Sequence, residues 1–192
     1  LRHKAQEVQR PVESSAARWE ANSVNKMKKA LFAIITLLFF LTAHAVEKNI
    51  ILTTPTGEIH GILLMPDNEE PCPLVIIIAG SGPTDMNGNT IGSELQSNSL
   101  KMLAEGLAAK GIASLRYDKR GIGKSQAAIM SEEELRFEHY IDDAAAWADM
   151  FSTDKRFSTI AIAGHSEGSL IGMVAAQKST AVKAYISIAG CG

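Results

Sequence analysis

Apolar residues along this chain fall into two alternating kinds of run. Residues 74–79 and 159–163 are short apolar stretches rich in β-branched side chains, the pattern of strands buried on both faces of a parallel sheet, and the more mixed runs 112–117 and 182–188 read as further strands. Between them apolar groups recur at helical spacing: Leu100, Leu103 and Leu107, then Ile141, Ala144, Ala145, Ala148 and Phe151, then the run from Leu170 to Ala176. Two earlier strand candidates, residues 49–53 and 58–65, are separated by the turn signal Thr54-Pro55-Thr56-Gly57, which predicts an antiparallel hairpin at a sheet edge. The expected class is α/β: a mostly parallel sheet of six strands flanked by helices and opened by a hairpin.

Local signals predict the helix ends. Lys110-Gly111 supplies a basic last turn and a glycine stop for the first helix. Ser131-x-x-Glu134 reads as a capping box opening a helix that runs to about Phe151. The charged run 132–134 reads as a solvated face, and His139 as a surface residue.

Ahead of the hairpin the pattern changes. Residues 1–26 are polar, of mixed charge and without apolar periodicity, and do not read as a domain. Met27-Lys28-Lys29 is then followed by the apolar stretch 30–41 and by Ala43-His44-Ala45. A basic end, an apolar core and a small-x-small site predict a secretory signal peptide, Met27 to Ala45, cleaved after Ala45. Met27 is then the expected start, with residues 1–26 as upstream translated sequence. The rival reading, an uncleaved membrane anchor, asks for ~20 apolar residues, more than this stretch offers. Cleavage leaves residues 46–192 as one secreted or periplasmic unit without a stable membrane anchor.

Charge and cysteines narrow the partners. The leader carries seven of the 19 basic and three of the 21 acidic residues, so the remainder carries 12 and 18, a net of −6. That balance argues against nucleic acid as a partner. In an oxidising compartment Cys72 and Cys191 have to be considered as a pair. One precedes a strand and the other follows one, so in a parallel sheet they sit at opposite ends, about 15 Å apart at ~3.3 Å per residue. A disulfide spans only about 7 Å between Cα atoms, so two free thiols are expected.

The sharpest chemical signal is Gly164-His165-Ser166-Glu167-Gly168, set between the predicted strand 159–163 and a helical run. G-x-S-x-G in that context holds a serine nucleophile on a tight, strained turn, with Gly164 and Gly168 where a Cβ would clash and with His165 as part of the turn. Ser166 is the candidate nucleophile. The backbone N–H of Glu167, at the helix start, would face the charge that develops on a substrate oxygen.

Two loops lie at the carboxyl ends of strands, where open parallel sheets bind ligands. In the first, Gly80 to Asn89, the backbone N–H of Ser81 is the expected second oxyanion donor, with Gly82 as alternative; the plainer reading is a loop whose glycines serve tight turns. Asp85-x-Asn87-x-Asn89 looks like the opening of a calcium loop, but Thr90 stands where its glycine belongs and Gln96 where its bidentate glutamate belongs. No metal and no cofactor is expected. The second loop, Asp118-Lys119-Arg120-Gly121-Ile122-Gly123-Lys124-Ser125, lacks Walker spacing. Gly121 and Gly123 read as a structural turn and Asp118 with Arg120 as a pair bracing the site's floor; Asp118 as catalytic acid is the lesser alternative.

In this order, from the Ala-Gly-Ser-Gly-Pro loop through the Asp-Lys-Arg-Gly-Ile-Gly-Lys-Ser turn to Gly-His-Ser-Glu-Gly, the chain resembles the α/β-hydrolase superfamily, in particular bacterial secreted esterases grouped with serine aminopeptidase-like hydrolases. The resemblance covers about Asn49 to Ala189. It implies Ser166 as nucleophile, the Ser81 and Glu167 amides as oxyanion donors, and acyl transfer from a small-molecule ester to water.

One feature departs from that family. Its acid and histidine follow the serine, whereas twenty-six residues follow Ser166 here and none is a histidine. His3 and His44 precede the mature chain, His60 lies in an early strand, His139 on a helix, and His165 on the tight turn itself. The expectation is therefore an amino-terminal part of a longer carboxylic ester hydrolase, an incomplete fold of six strands without its catalytic acid and histidine and nearly inactive. Residues 182–188 would form an apolar sheet edge. A peptidase or acyltransferase on the same scaffold, and a noncatalytic remnant, stand as alternatives.

Overall fold

The computed structural model describes residues 19, 23–29, 31, 45–68, 70–129, 131 and 133–190. The chain forms two compact units, 1–42 and 43–192. In the first, residues 23–29 are helical; most of the expected signal peptide lies outside the described residues. No helix among the described residues is long and apolar enough to cross a membrane.

The second unit is built on one six-stranded sheet. Its strands are β1 (Val46–Thr54), β2 (Gly57–Met65), β3 (Cys72–Ile78), β4 (Ala113–Tyr117), β5 (Phe157–His165) and β6 (Val182–Ile188), in the spatial order β1-β2-β4-β3-β5-β6. β1 and β2 form the expected antiparallel hairpin, with Thr54 opposite Gly57, and β2 runs antiparallel to β4. The β4/β3, β3/β5 and β5/β6 pairs are parallel. Among the described residues β6 is paired on one side only.

β3 shows why the apolar runs are continuous. Leu74, Ile76 and Ile78 pack on one side of the sheet with Trp147 and Ile171, while Val75 and Ile77 pack on the other with Leu100 and Ala104. The two faces are covered by different helices: α1 (Ser99–Ala108) on one, α2 (Phe137–Met150) and α3 (Glu167–Lys178) on the other. Each fully buried leucine or isoleucine contributes about 1.5–3 kcal/mol of hydrophobic free energy. Cys72, expected just ahead of the strand, is its first residue and a buried free thiol; Cys191 lies outside the described residues.

Helix ends differ from the sequence expectation. The buried stripe of α1 runs through Leu100, Ala104 and Ala108, with Leu103 and Leu107 on its flank, and Lys110 lies past the last turn. α2 begins at Phe137, not near Ser131. The Ser131 hydroxyl bonds the Glu134 side chain at 2.9 Å and closes a separate turn. At the true start the Arg136 N–H donates to His139 Nδ1 at 3.0 Å, so His139 is a half-buried capping residue and not a bystander on the surface.

Candidate active site

β5 delivers Ser166 and α3 leaves from it. The serine has φ 52 and ψ −119, a positive φ that a side chain adopts only under strain of about 1–3 kcal/mol. Several hydrogen bonds hold it there. The Ser166 N–H donates to Ile188 O at 2.9 Å, the Ser169 N–H donates to Ser166 O at 2.9 Å, and the Ser169 hydroxyl donates to Gly164 O at 2.6 Å. The turn is also tight: a Cβ on Gly164 would collide with the Gly168 carbonyl, and one on Gly168 would lie 2.5 Å from Ile78 O and 2.6 Å from Ala79 O.

A cavity of about 310 Å³ opens at this end of the sheet, lined by Ser166 and His165 on one side and by Gly80, Ser81, Thr84 and Leu100 among others. The Gly80 loop lies against the elbow, so that a Cβ on Gly80 would be 3.3 Å from Ser166 Cβ. Among the described residues nothing accepts a hydrogen bond from the Ser81 N–H. The Glu167 N–H, first in α3, has no intrahelical partner and sits at the positive end of the helix dipole. Gly82, the alternative donor, is not among the lining residues. The lining thus holds Ser166 and Ser81, whereas Glu167, next to Ser166 in the chain, is not among the lining residues either.

No described histidine or carboxylate hydrogen-bonds the Ser166 hydroxyl. His165 lines the cavity but faces Gly80, His139 caps α2, and the His60 imidazole lies beside Glu58, Nε2 3.7 Å from Oε2. Asp85 uses its Oδ1 to accept the N–H groups of Asn87 and Asn89 at 2.9 and 2.8 Å, closing the loop on itself.

The turn after β4 is held by hydrogen bonds to Asp118, but Asp118 and Arg120 do not pair. Asp118 has both oxygens occupied by backbone: Oδ1 accepts the Met86 N–H at 2.7 Å and Oδ2 the Lys124 N–H at 2.8 Å. Burial nonetheless raises its carboxyl above the ordinary range, with the two N–H groups opposing. Gly123, at φ 50, passes so close that any Cβ would strike this carboxylate; Gly121 is at φ 82. Arg120 turns instead to α2 and meets Asp143.

Two residues of this region escape sequence reasoning. Asp143 follows Asp142 in a helix and no local motif marks it, yet it is buried. Lys119 reads as a turn lysine. Its ammonium is buried between the two halves of the site, donating to Gly80 O at 2.7 Å and Glu167 Oε1 at 2.8 Å.

Known proteins resemble this chain in sequence and in fold. The pattern of the family described as serine aminopeptidase, S33, matches residues 92–191, a little over half of the chain. Esterase EstD of Thermotoga maritima is 33% identical over 122 residues, 63% of this chain and 28% of that protein. Among solved structures, Est1E from Butyrivibrio proteoclasticus with ferulic acid bound is 28% identical, with a TM-score of 0.55 over 71% of this chain and 50% of that one. A lidless α/β serine hydrolase from Xanthomonas campestris superposes with a TM-score of 0.57 at 23% identity, covering 75% of this chain and 61% of that one, and shares the fold. The chain thus spans 28% of the length of the curated relative it matches. It belongs to the serine aminopeptidase S33 family of the α/β-hydrolase superfamily.

Proposed function

We propose that this chain carries the nucleophile half of a secreted serine hydrolase that cleaves carboxylic esters through an acyl-serine intermediate. One juxtaposition carries the reading: Ser166, on its strained turn, shares a cavity with the Gly80–Ser81 loop, and the Ser81 and Glu167 N–H groups are free at that end of the sheet. The likeness to EstD and Est1E supports an ester as substrate. In the reaction Ser166 Oγ adds to the carbonyl carbon and its proton passes to a base. The two N–H donors take up the charge on oxygen, and the bond to the alcohol breaks as the alcohol receives the proton. Water then adds to the acyl-serine, releases the carboxylic acid and restores the hydroxyl.

We assign the base to a histidine, oriented by a carboxylate, in sequence following Gly192. In support, no described histidine bonds Ser166, and the chain spans 28% of EstD. Loss of a triad member lowers turnover by about 10⁴–10⁶, so the 192 residues alone are expected to be nearly inactive. The segment from Met27 to Ala45 directs the protein to the periplasm or medium. A second reading, cleavage of an amino-terminal peptide bond, is favoured by the description of the matched family.

The test is fluorophosphonate labelling of residues 46–192 and of a chain extended past Gly192, each with and without Ser166→Ala, beside turnover of p-nitrophenyl acetate and of an amino-acid p-nitroanilide. Ser166-dependent labelling and ester turnover are expected in the extended chain. Anilide turnover above ester turnover would favour the second reading, and no Ser166-dependent labelling in either chain would overturn both.

A further inference from the structure

Lys119 is 4% exposed although the sequence around it is that of a polar turn. Its ammonium lies 5.3 Å from the centre of the Tyr140 ring and donates to two acceptors, Gly80 O and Glu167 Oε1. These belong to the two elements that supply the free N–H donors.

The first acceptor matters most, because the Gly80 carbonyl and the Ser81 N–H are one peptide unit. There is no cis peptide among the described residues, so this C=O and N–H point in opposite directions. A carbonyl drawn onto the buried ammonium therefore turns the Ser81 N–H away from Lys119. That N–H has no acceptor among the described residues, and Gly80 and Ser81 line the cavity that holds Ser166. An ammonium on the carbonyl oxygen also draws electron density from the amide nitrogen, which makes its N–H a stronger donor.

We propose that Lys119 is a positioning residue of the oxyanion hole. It orients and polarises the Gly80–Ser81 peptide toward the charge that develops on the substrate oxygen. Through Glu167 it also ties that loop to the residue whose N–H is the second donor. This inference rests on the acyl-serine reading above. A merely structural ion pair would act on folding and would not distinguish the transition state from the bound ester.

The test uses the full-length enzyme, the chain together with the acid- and histidine-bearing segment proposed to follow it. Lys119→Met is expected to lower kcat for p-nitrophenyl acetate about 10- to 100-fold with KM within about threefold, somewhat less than the loss of one donor outright. It should also lower the preference for an oxo ester over its thiono analogue, whose sulfur anion gains less from N–H donors. A kcat within about threefold of wild type, or an unchanged oxo-to-thiono ratio, overturns the proposal. Should circular dichroism show Lys119→Met to be unfolded, Lys119→Gln decides by the same two readouts. Ser166→Ala is run alongside. If it retains turnover, the acyl-serine reading falls and takes this inference with it; if it loses turnover while Lys119→Met keeps it, only this inference falls.

Discussion

Arg120 and Asp143 meet side-on in the interior: Nη2 lies 2.6 Å from Oδ1 and Nε 3.0 Å from Oδ2, and both side chains are nearly inaccessible. The pair fastens the turn after β4 to α2, and Arg120 also donates to Ala128 O at 3.0 Å and to the Thr56 hydroxyl of the β1–β2 turn. A buried charge without its partner is the costly state. Asp143→Ala should therefore destabilise the protein by about 3–5 kcal/mol, and the double change Arg120→Met with Asp143→Leu by clearly less. Urea unfolding of the two variants beside wild type checks the order.

Backbone crowding separates the glycines. Gly168→Ala places a methyl 2.5 Å from Ile78 O, where only backbone movement relieves the contact, and a loss above about 3 kcal/mol is expected. Gly106, in α1, has nothing within 4 Å of an added Cβ. Gly106→Ala should stabilise by about 0.5–1 kcal/mol through helix propensity. Thermal unfolding of both variants reads the contrast.

Strain at Ser166 predicts a stability gain from removing its Cβ. At φ 52 and ψ −119 a glycine in place of Ser166 has no Cβ to strain. After the added backbone entropy of the unfolded chain, Ser166→Gly should be about 1 kcal/mol more stable than Ser166→Ala. Both should abolish fluorophosphonate labelling. Equal stabilities of the two variants would contradict the strain.

Acid stability has one local test away from the site. Hydrogen bonds from Arg156, at 3.1 Å from Nε and 2.6 Å from Nη2, hold the Asp154 carboxyl below its ordinary value of 3.8. A lowered carboxyl pKa stabilises the fold above the unfolded value, here 3.8, and this contribution is lost as pH falls through the folded value. The pair is partly exposed, so Arg156→Gln should cost no more than about 1 kcal/mol at pH 7. Its difference from wild type should shrink toward zero as pH falls well below 3.8, which urea titrations at several pH values would show.

Much of this molecule is determined by patterns that act over a few residues. Continuous apolar runs suffice for β3 and the second half of β5 because a strand covered on both faces needs no alternation. Gly164, Ser166 and Gly168 identify the elbow from spacing alone, since the strained turn restricts which residues fit. The true start of α2 was not legible, because a His at the third helical position replaces the Glu or Gln of the usual capping pattern.

Tertiary structure alone decided what becomes of the charges between Arg116 and Arg120. Locally they spell the end of a strand and a polar turn, yet Arg116, Asp118, Lys119 and Arg120 are all buried. Their partners are distant in the chain: Glu47 is 69 residues from Arg116, Glu167 48 from Lys119 and Asp143 23 from Arg120. Charge burial depends on whether folding brings a compensating group within hydrogen-bonding distance, and no periodicity of the sequence encodes that meeting. The candidate nucleophile was therefore visible in five consecutive residues, whereas the lysine set beside it between the Gly80 loop and α3 became visible only once β4, that loop and α3 had been brought together.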